Sequence, residues 1–301
     1  MDNIHKLAAI DIGSNAVRLL ITSVSINKKD TKFKKISLVR VPLRLGEDVF
    51  SKGKISEKKV KKLEKTLKAF KILMQVHKVH MFKAVATSAM REAKNSSKII
   101  EDISKKFNII IDLISGKKEA LLIADVFLNT LKNSTNNYLY VDVGGGSTEL
   151  NLISENKIVK SRSFKIGTVR SLSKITKEVS WHNFKNWIEN NSKLYKNIIV
   201  IGSGGNASKI LKISKKNINE VIGLEELENI SYLINSMSFE DRVYNLQLNV
   251  DRADVIIPAI NIYLKSLKYS KSKSFIVPRI GLADGVIRYI HLNNKEGQFL
   301  D

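Results

Sequence analysis

The chain contains no cysteine, which excludes disulfides and every thiolate-ligated zinc or iron–sulfur site. Proline is scarce, three in 301 residues, and no Gly/Ser-rich stretch occurs. Domains strung on a flexible linker are therefore excluded, and any two domains should share a tight junction. Aromatic residues are only 7% of the chain, too sparse for a base-stacking surface. No zinc-finger, helix-turn-helix or RNA-recognition signature accompanies them, which disfavours a nucleic-acid partner. The longest apolar runs, such as Ile109-Ile110-Ile111, fall far short of the ~20 residues that span a bilayer. The start, MDNIHKLAAIDIG, lacks a basic region followed by an apolar stretch and a cleavage site. The expectation is a cytoplasmic protein with no membrane partner. Acidic residues are also under-represented, 29 against 51 basic ones, for a net charge of +22. That excess fits a polyanionic partner. It equally fits compositional background, because only ten of the 51 are arginine and Lys, Asn, Ile and Ser are all abundant, as in an AT-rich genome.

What is present is enough apolar residue, 43%, to build a core, and an internal echo. Residues 7–21 read LAAIDIGSNAVRLLI and residues 138–153 read YLYVDVGGGSTELNLI. Placing Asp11 on Asp142 also places Gly13 on Gly144 and Leu19 on Leu150, an offset of 131 residues. Each segment reads as strand, small-residue turn and strand, heading its own half of the chain. Val60, Leu63, Leu67, Phe70 and Leu73 predict an amphipathic helix capped by Ser56. MFKAVATSAMREA reads as strand, turn and helix, FNIIIDLIS as a buried strand, and 117–131 as a helix. KNIIVIGSGGNASKIL again reads as strand, turn and helix. Residues 224–237 and 251–267 read as helices, the second bent near Pro258, and VPRIGLADGVIRYIHL as a turn into a final helix. Strands alternating with helices make the class α/β. The helices of 224–267 offer a face either to the core or to a homodimer.

Chemistry collects at four small-residue turns: Gly13-Ser14-Asn15, Gly144-Gly145-Gly146-Ser147, Gly202-Ser203-Gly204-Gly205 and Gly281–Gly285. Glycine lets backbone N–H groups approach an anion, although tight turns need glycine anyway. Two such turns, each opening a half with Asp-x-Gly, point to phosphate. Neither fits G-x-x-x-x-G-K-[ST] or G-x-G-x-x-G, which sets aside Walker-type and Rossmann sites. Asp11, Asp142, Glu149 and Glu119 are hard oxygen donors suited to Mg2+, or, one by one, caps of their own turns. Arg18 and Arg91, near these turns, suit phosphate oxygens or surface ion pairs. His77 and His80 have metal-compatible spacing but read better as a solvated helix end, and Trp181 and Trp187 read as packing residues.

In order along the chain, AAIDIGSNAVRLLI, LRLGEDV, AVATSAMREAKN, ISGKKEA, YVDVGGGSTEL, IGSGGN, DRADVIIPA and IGLADG together resemble the exopolyphosphatase / guanosine pentaphosphate phosphohydrolase family. The resemblance implies two ribonuclease-H-like (actin-like ATPase) lobes, each a mixed sheet with helices, with the active site in the interlobe cleft. It places an N-terminal lobe at 1–122 and a C-terminal lobe at 123–285, with the last helix, about 286–301, packing back on the first lobe. It implies Mg2+-dependent hydrolysis of the terminal phosphoanhydride of inorganic polyphosphate, with Glu119 as general base. Arg91, Asp142 and Glu149 complete the implied catalytic set. Asp11, Asp142 and Glu149 would hold the metal. Gly13, Ser14, Asn15, Arg18, Gly144, Gly145, Gly146, Ser147, Gly204 and Gly205 would contact phosphate. The alternatives are guanosine pentaphosphate 5′-phosphohydrolase, an ATP-dependent kinase or ATPase of the same superfamily, and a non-enzymatic nucleic-acid binder. Three positions depart from the family pattern: Lys118 replaces the first Glu of a Glu-Glu pair, Leu121 an Arg, and Asn206 a Thr. Lys118 also removes half of a capping box begun by Ser115.

Overall fold

The computed structural model describes residues 4–27, 30–131, 135–173, 177–293 and 297–300. It divides into two compact units, residues 1–115 with 282–301, and Gly116–Gly281. The family-based boundary at 122 therefore moves back to 115. The helix that carries Glu119 packs on strands of the second unit and belongs to it entirely.

The first unit opens with three antiparallel strands, β1 (Ile4–Ile12), β2 (Ala16–Asn27) and β3 (Asp30–Pro42). Two helices follow, α1 (Leu45–Lys52) and α2 (Glu57–Val76), then β4 (Met81–Ala86), α3 (Ser88–Glu92), α4 (Ser96–Phe107) and β5 (Ile111–Leu113). β4 runs parallel to β1, and β5 parallel to β4. β1 is central and buried from Ala8 to Ile12, which is why it reads as a continuous apolar run. β3 lies at the edge and exposes Leu38 and several lysines, charges that discourage further strand pairing. α2 buries Leu63, Thr66, Leu67, Phe70 and Met74 at helical spacing, while its seven lysines occupy the rest of its circumference. Ser56 stands at the N-cap position but its side chain makes no cap bond. FNIIIDLIS forms only a three-residue strand, because β5 pairs with β4 alone.

The second unit begins with α5 (Gly116–Leu128) and repeats the plan: β6 (Asn137–Val143), β7 (Thr148–Ser154) and β8 (Lys157–Phe164) are antiparallel. Then come α6 (Thr168–Leu172), α7 (Glu178–Ser192), β9 (Ile198–Ser203) and α8 (Gly205–Ile213), with β9 parallel to β6. β10 (Ile222–Gly223), α9 (Leu224–Ser236), α10 (Phe239–Tyr244), α11 (Val250–Ala253), α12 (Ile256–Ser270) and β11 (Ser274–Ile276) complete it. The sheet order is β10-β11-β9-β6-β7-β8. Its core joins Leu139, Val141, Leu150, Leu152 and Val200 to Phe184 and Ile188 of α7 and to Ile256, Ile260, Tyr263 and Leu267 of α12. Trp181 and Trp187 pack on the rim of this core. The expected single helix at 251–267 is two, broken at Asp254–Val255. Pro258 falls in the first turn of α12, where its missing N–H has no intrahelical partner to lose.

The chain then returns to the first unit. α13 (Leu282–Leu292) packs on β1, β2 and β4, and β12 (Gln298–Phe299) pairs with β4, giving the order β12-β4-β1-β2-β3. The last helix thus starts and ends earlier than expected. The segment flagged as a fourth small-residue turn, Gly281–Gly285, is its first turn. Asp284 there pairs with Lys35 at 2.7 Å.

The link between α1 and α2 is held by Asn95. Its Oδ1 accepts from Ile55 N–H at 3.0 Å, and its Nδ2 donates to the Ile55 carbonyl at 2.8 Å. Replacing Asn95 with Ala should lower unfolding free energy by about 1–3 kcal/mol, because both half-buried backbone groups lose their partner; the urea midpoint measures it.

Candidate active site

Each unit carries its candidate residues at the turn between its first two strands. In the first unit, Asp11 faces Arg18 directly across the β1–β2 ladder. Arg18 Nη1 donates to Asp11 Oδ2 at 2.6 Å. The turn closes through Gly13 N–H to the Ala16 carbonyl at 3.1 Å. The carbonyls of Ser14 and Asn15 accept from the N–H groups of Gly46 and Arg44, both at 2.8 Å. Ser14 Oγ lies 2.8 Å from Ser88 Oγ and accepts from Ala89 N–H at 3.2 Å. Arg91 donates to the Ile114 carbonyl at 2.6 Å. The first unit therefore gathers Gly13–Asn15, Arg18 and the Ser88–Arg91 turn at the carboxyl ends of β1 and β4, where open α/β sheets bind ligands.

The second unit is built the same way, 131 residues on, with one decisive change. Asp142 occupies the place of Asp11, and the position opposite it holds Glu149 where the first unit has Arg18. The turn closes through Gly144 N–H to the Ser147 carbonyl at 3.0 Å. Glu119 in the first turn of α5 joins the two acids, and carboxylate oxygens of Glu119, Asp142 and Glu149 all lie within 4.8 Å of one another. Glu119 is 6% exposed and Glu149 is fully buried. Asp11, expected among the metal ligands, pairs with Arg18, and the clustered carboxylates are those of Glu119, Asp142 and Glu149.

Local packing explains how Glu119 is aimed. Gly116 abuts Ser163 of β8 so closely that a Cβ there would overlap the serine. Asn151 of β7, 1% exposed, donates from Nδ2 to the Ala120 carbonyl at 3.1 Å. These two ties seat the first turn of α5 on β7 and β8. Ser163 Oγ also donates to Glu149 Oε1 at 2.8 Å. The third glycine turn joins the same site. Gly204 has φ +95°, and a Cβ on it would stand 3.5 Å from Asp142 Oδ1. Behind it the buried Tyr263 hydroxyl donates to the Ser203 carbonyl at 2.5 Å. Burial first, then Asp142 and Tyr140, push the Tyr263 pKa well above the ordinary phenol value, so it stays a neutral donor. Gly205 accepts from Arg252. Lys209 nearby has its pKa lowered, by burial first and then by Arg252 and Lys212.

Three residues of this arrangement escape sequence reading. Ser163 becomes visible only once β7 and β8 are paired, because it lies opposite Glu149. Asn151 had a signal: it is a lone polar residue in an apolar strand. Arg170 is buried to 6% exposure beneath the glycine turn, a position that only the fold reveals. His77 and His80 have structural roles. His77 ends α2, and His80 Nδ1 accepts from Lys6 N–H at 3.1 Å.

The model of the Ppx/GppA phosphatase family matches residues 24–294. The chain belongs to this family. A solved Ppx/GppA structure from Aquifex aeolicus superposes with a TM-score of 0.77 at 27% identity, covering 97% of this chain and 99% of that one. An exopolyphosphatase structure from Cytophaga hutchinsonii shares the fold, with a TM-score of 0.84 at 24% identity over 96% of this chain and 98% of that one. A bifunctional 3-dehydroquinate synthase/phosphatase of Fusobacterium nucleatum is 28% identical over 90% of this chain and 44% of its own length. Exopolyphosphatase 2 of Mycobacterium tuberculosis is 28% identical over 55% of this chain and 53% of its own. The chain thus spans about half the length of these two relatives. Among the described residues no helix is long and apolar enough to cross a membrane.

The contact between Gly116 and Ser163 makes a signed prediction for this Ppx/GppA chain. Gly116→Ala should destabilise it by about 1–3 kcal/mol through overpacking, although Ala is the better helix former. In a Ser163→Gly background, where the overlap is gone, the same Gly116→Ala change should cost little in urea denaturation, so the two substitutions should be strongly coupled.

Proposed function

We propose that the protein hydrolyses the terminal phosphoanhydride of inorganic polyphosphate and releases orthophosphate. The observation that carries this reading is the convergence of Glu119, Asp142 and Glu149 beside a glycine turn. Three carboxylates this close, two of them buried, repel one another and need a cation or a proton to coexist. Their donors are all hard oxygens, which fits a divalent cation such as Mg2+. Asp142 and Glu149 would hold it, and when bound it supplies positive charge against the phosphate oxygens. Ser163 keeps Glu149 oriented for that role.

Glu119 accepts the proton of the attacking water. The water oxygen bonds to the terminal phosphorus, and the bond from that phosphorus to the bridging oxygen breaks. Catalysis of this kind is mainly positioning and electrostatics. Backbone N–H groups of the Gly144–Ser147 turn and of Gly204-Gly205 serve as phosphate contacts. Gly13, Ser14, Asn15, Arg18 and Arg91 of the first unit are assigned to phosphate on the same chemistry. Lys118, at the start of α5, adds positive charge where the family pattern has an acid, which favours a polyanionic substrate. The alternative substrate, guanosine pentaphosphate, uses the same residues.

Glu119→Gln is the direct test, with phosphate release followed on long-chain polyphosphate and on guanosine pentaphosphate at matched salt and Mg2+. Loss of the general base should cut kcat by about 10²–10⁴-fold and leave KM close to wild type. Turnover within a few-fold of wild type would overturn the assignment.

A further inference from the structure

The glycine turn of the second unit is held from behind. Gly144 O accepts from Thr168 N–H at 3.0 Å, and Gly145 O accepts from the N–H groups of Val169 at 2.8 Å and Arg170 at 3.0 Å. Gly146 O accepts from Arg170 Nε at 2.7 Å. All three carbonyls therefore point at α6. No described peptide bond is cis, and in a trans peptide the C=O and the next N–H point in opposite directions. The N–H groups of Gly145, Gly146 and Ser147 are consequently turned to the face away from α6, as three successive donors. Gly167 allows this seating. A Cβ on it would stand 2.5–2.6 Å from the backbone of Gly145 and Gly146.

The first unit uses the same device without a buried cation. Its loop carbonyls, Ser14 and Asn15, are taken by backbone N–H groups of Gly46 and Arg44. The Arg44 guanidinium is directed elsewhere, to Glu47 at 2.5 Å. Of the two hairpin turns, the one beside the carboxylate cluster has an arginine side chain, that of Arg170, donating to a loop carbonyl. Burying a guanidinium is costly unless its donors are satisfied, and here a loop carbonyl satisfies one of them.

We propose that Arg170 is a positioning residue that sets the affinity of the Gly144–Ser147 turn for a phosphate chain. It fixes the Gly146 peptide so that the Ser147 N–H faces outward, and it places a positive charge directly behind the donors. It touches no substrate itself. The inference deepens the polyphosphate reading, since it assigns a determinant of binding at the same turn.

The test measures binding of inorganic tripolyphosphate by calorimetry to the full chain carrying Glu119→Gln, with and without Arg170→Lys. Lysine keeps the charge but has no Nε donor at the required place. Kd should rise by about tenfold or more. In the chain with Glu119 intact, the loss should fall on KM for polyphosphate more than on kcat. Gly167→Ala presses on the same turn from the same side and should raise Kd in the same direction, so the result does not rest on one variant. An unchanged Kd in folded Arg170→Lys, or a fall in kcat at constant KM, would overturn the proposal. A wild-type chain that binds tripolyphosphate in an Arg170-dependent way yet releases no phosphate would sink the hydrolase reading and leave this one standing.

Discussion

Two acids facing each other across a β-ladder repel, and the second unit places Glu149 opposite Asp142 and adds Glu119 beside them. Much of the second unit's local architecture holds these acids in place. Ser163 donates to Glu149, Asn151 and Gly116 seat the helix that carries Glu119, and Gly204 brings a third turn against Asp142. The first unit has the same strands, the same turn and the same closing hydrogen bond, but resolves the charge internally, since Arg18 neutralises Asp11. A duplicated hairpin has thus become one neutral turn and one acidic turn through a single position, Arg18 against Glu149.

The shared scaffold explains why such a change is tolerated. In both units the carbonyls of the turn are captured by the start of the helix after the third strand, Arg44 and Gly46 in one, Thr168 to Arg170 in the other. The backbone of the turn is therefore fixed independently of the side chains at the two ladder positions. Charge at those positions can differ while the backbone of the turn stays the same, so one fold carries both a neutral and an acidic version of it.

The hairpins were legible from the sequence because small-residue turns between apolar strands have a local cause, and the offset of 131 residues matched them position by position. α2 was legible from its apolar stripe. The ends of elements were less so. β5 is short because it has one neighbour, and the break before α12 lies at Asp254 rather than at Pro258, since proline is harmless in a first turn. The candidate site was half legible. Glu119, Asp142 and Glu149 stood in recognisable motifs, but Asp11 looked equivalent to Asp142 until the ladder showed what each one faces. Ser163, Asn151 and Arg170 depend on strand register and helix seating, which no local pattern encodes. The lysines of α2 fill the circumference around its apolar stripe.

The central claim is that the acidic turn of the second unit, and not its duplicate in the first, is built for a divalent cation. Titration of Mn2+ into the full chain, followed by electron paramagnetic resonance, tests it with three proteins: wild type, Glu149→Gln and Asp11→Asn. The account predicts a bound-ion signal that disappears in Glu149→Gln and survives in Asp11→Asn. Binding retained in Glu149→Gln, or abolished in Asp11→Asn, would contradict it.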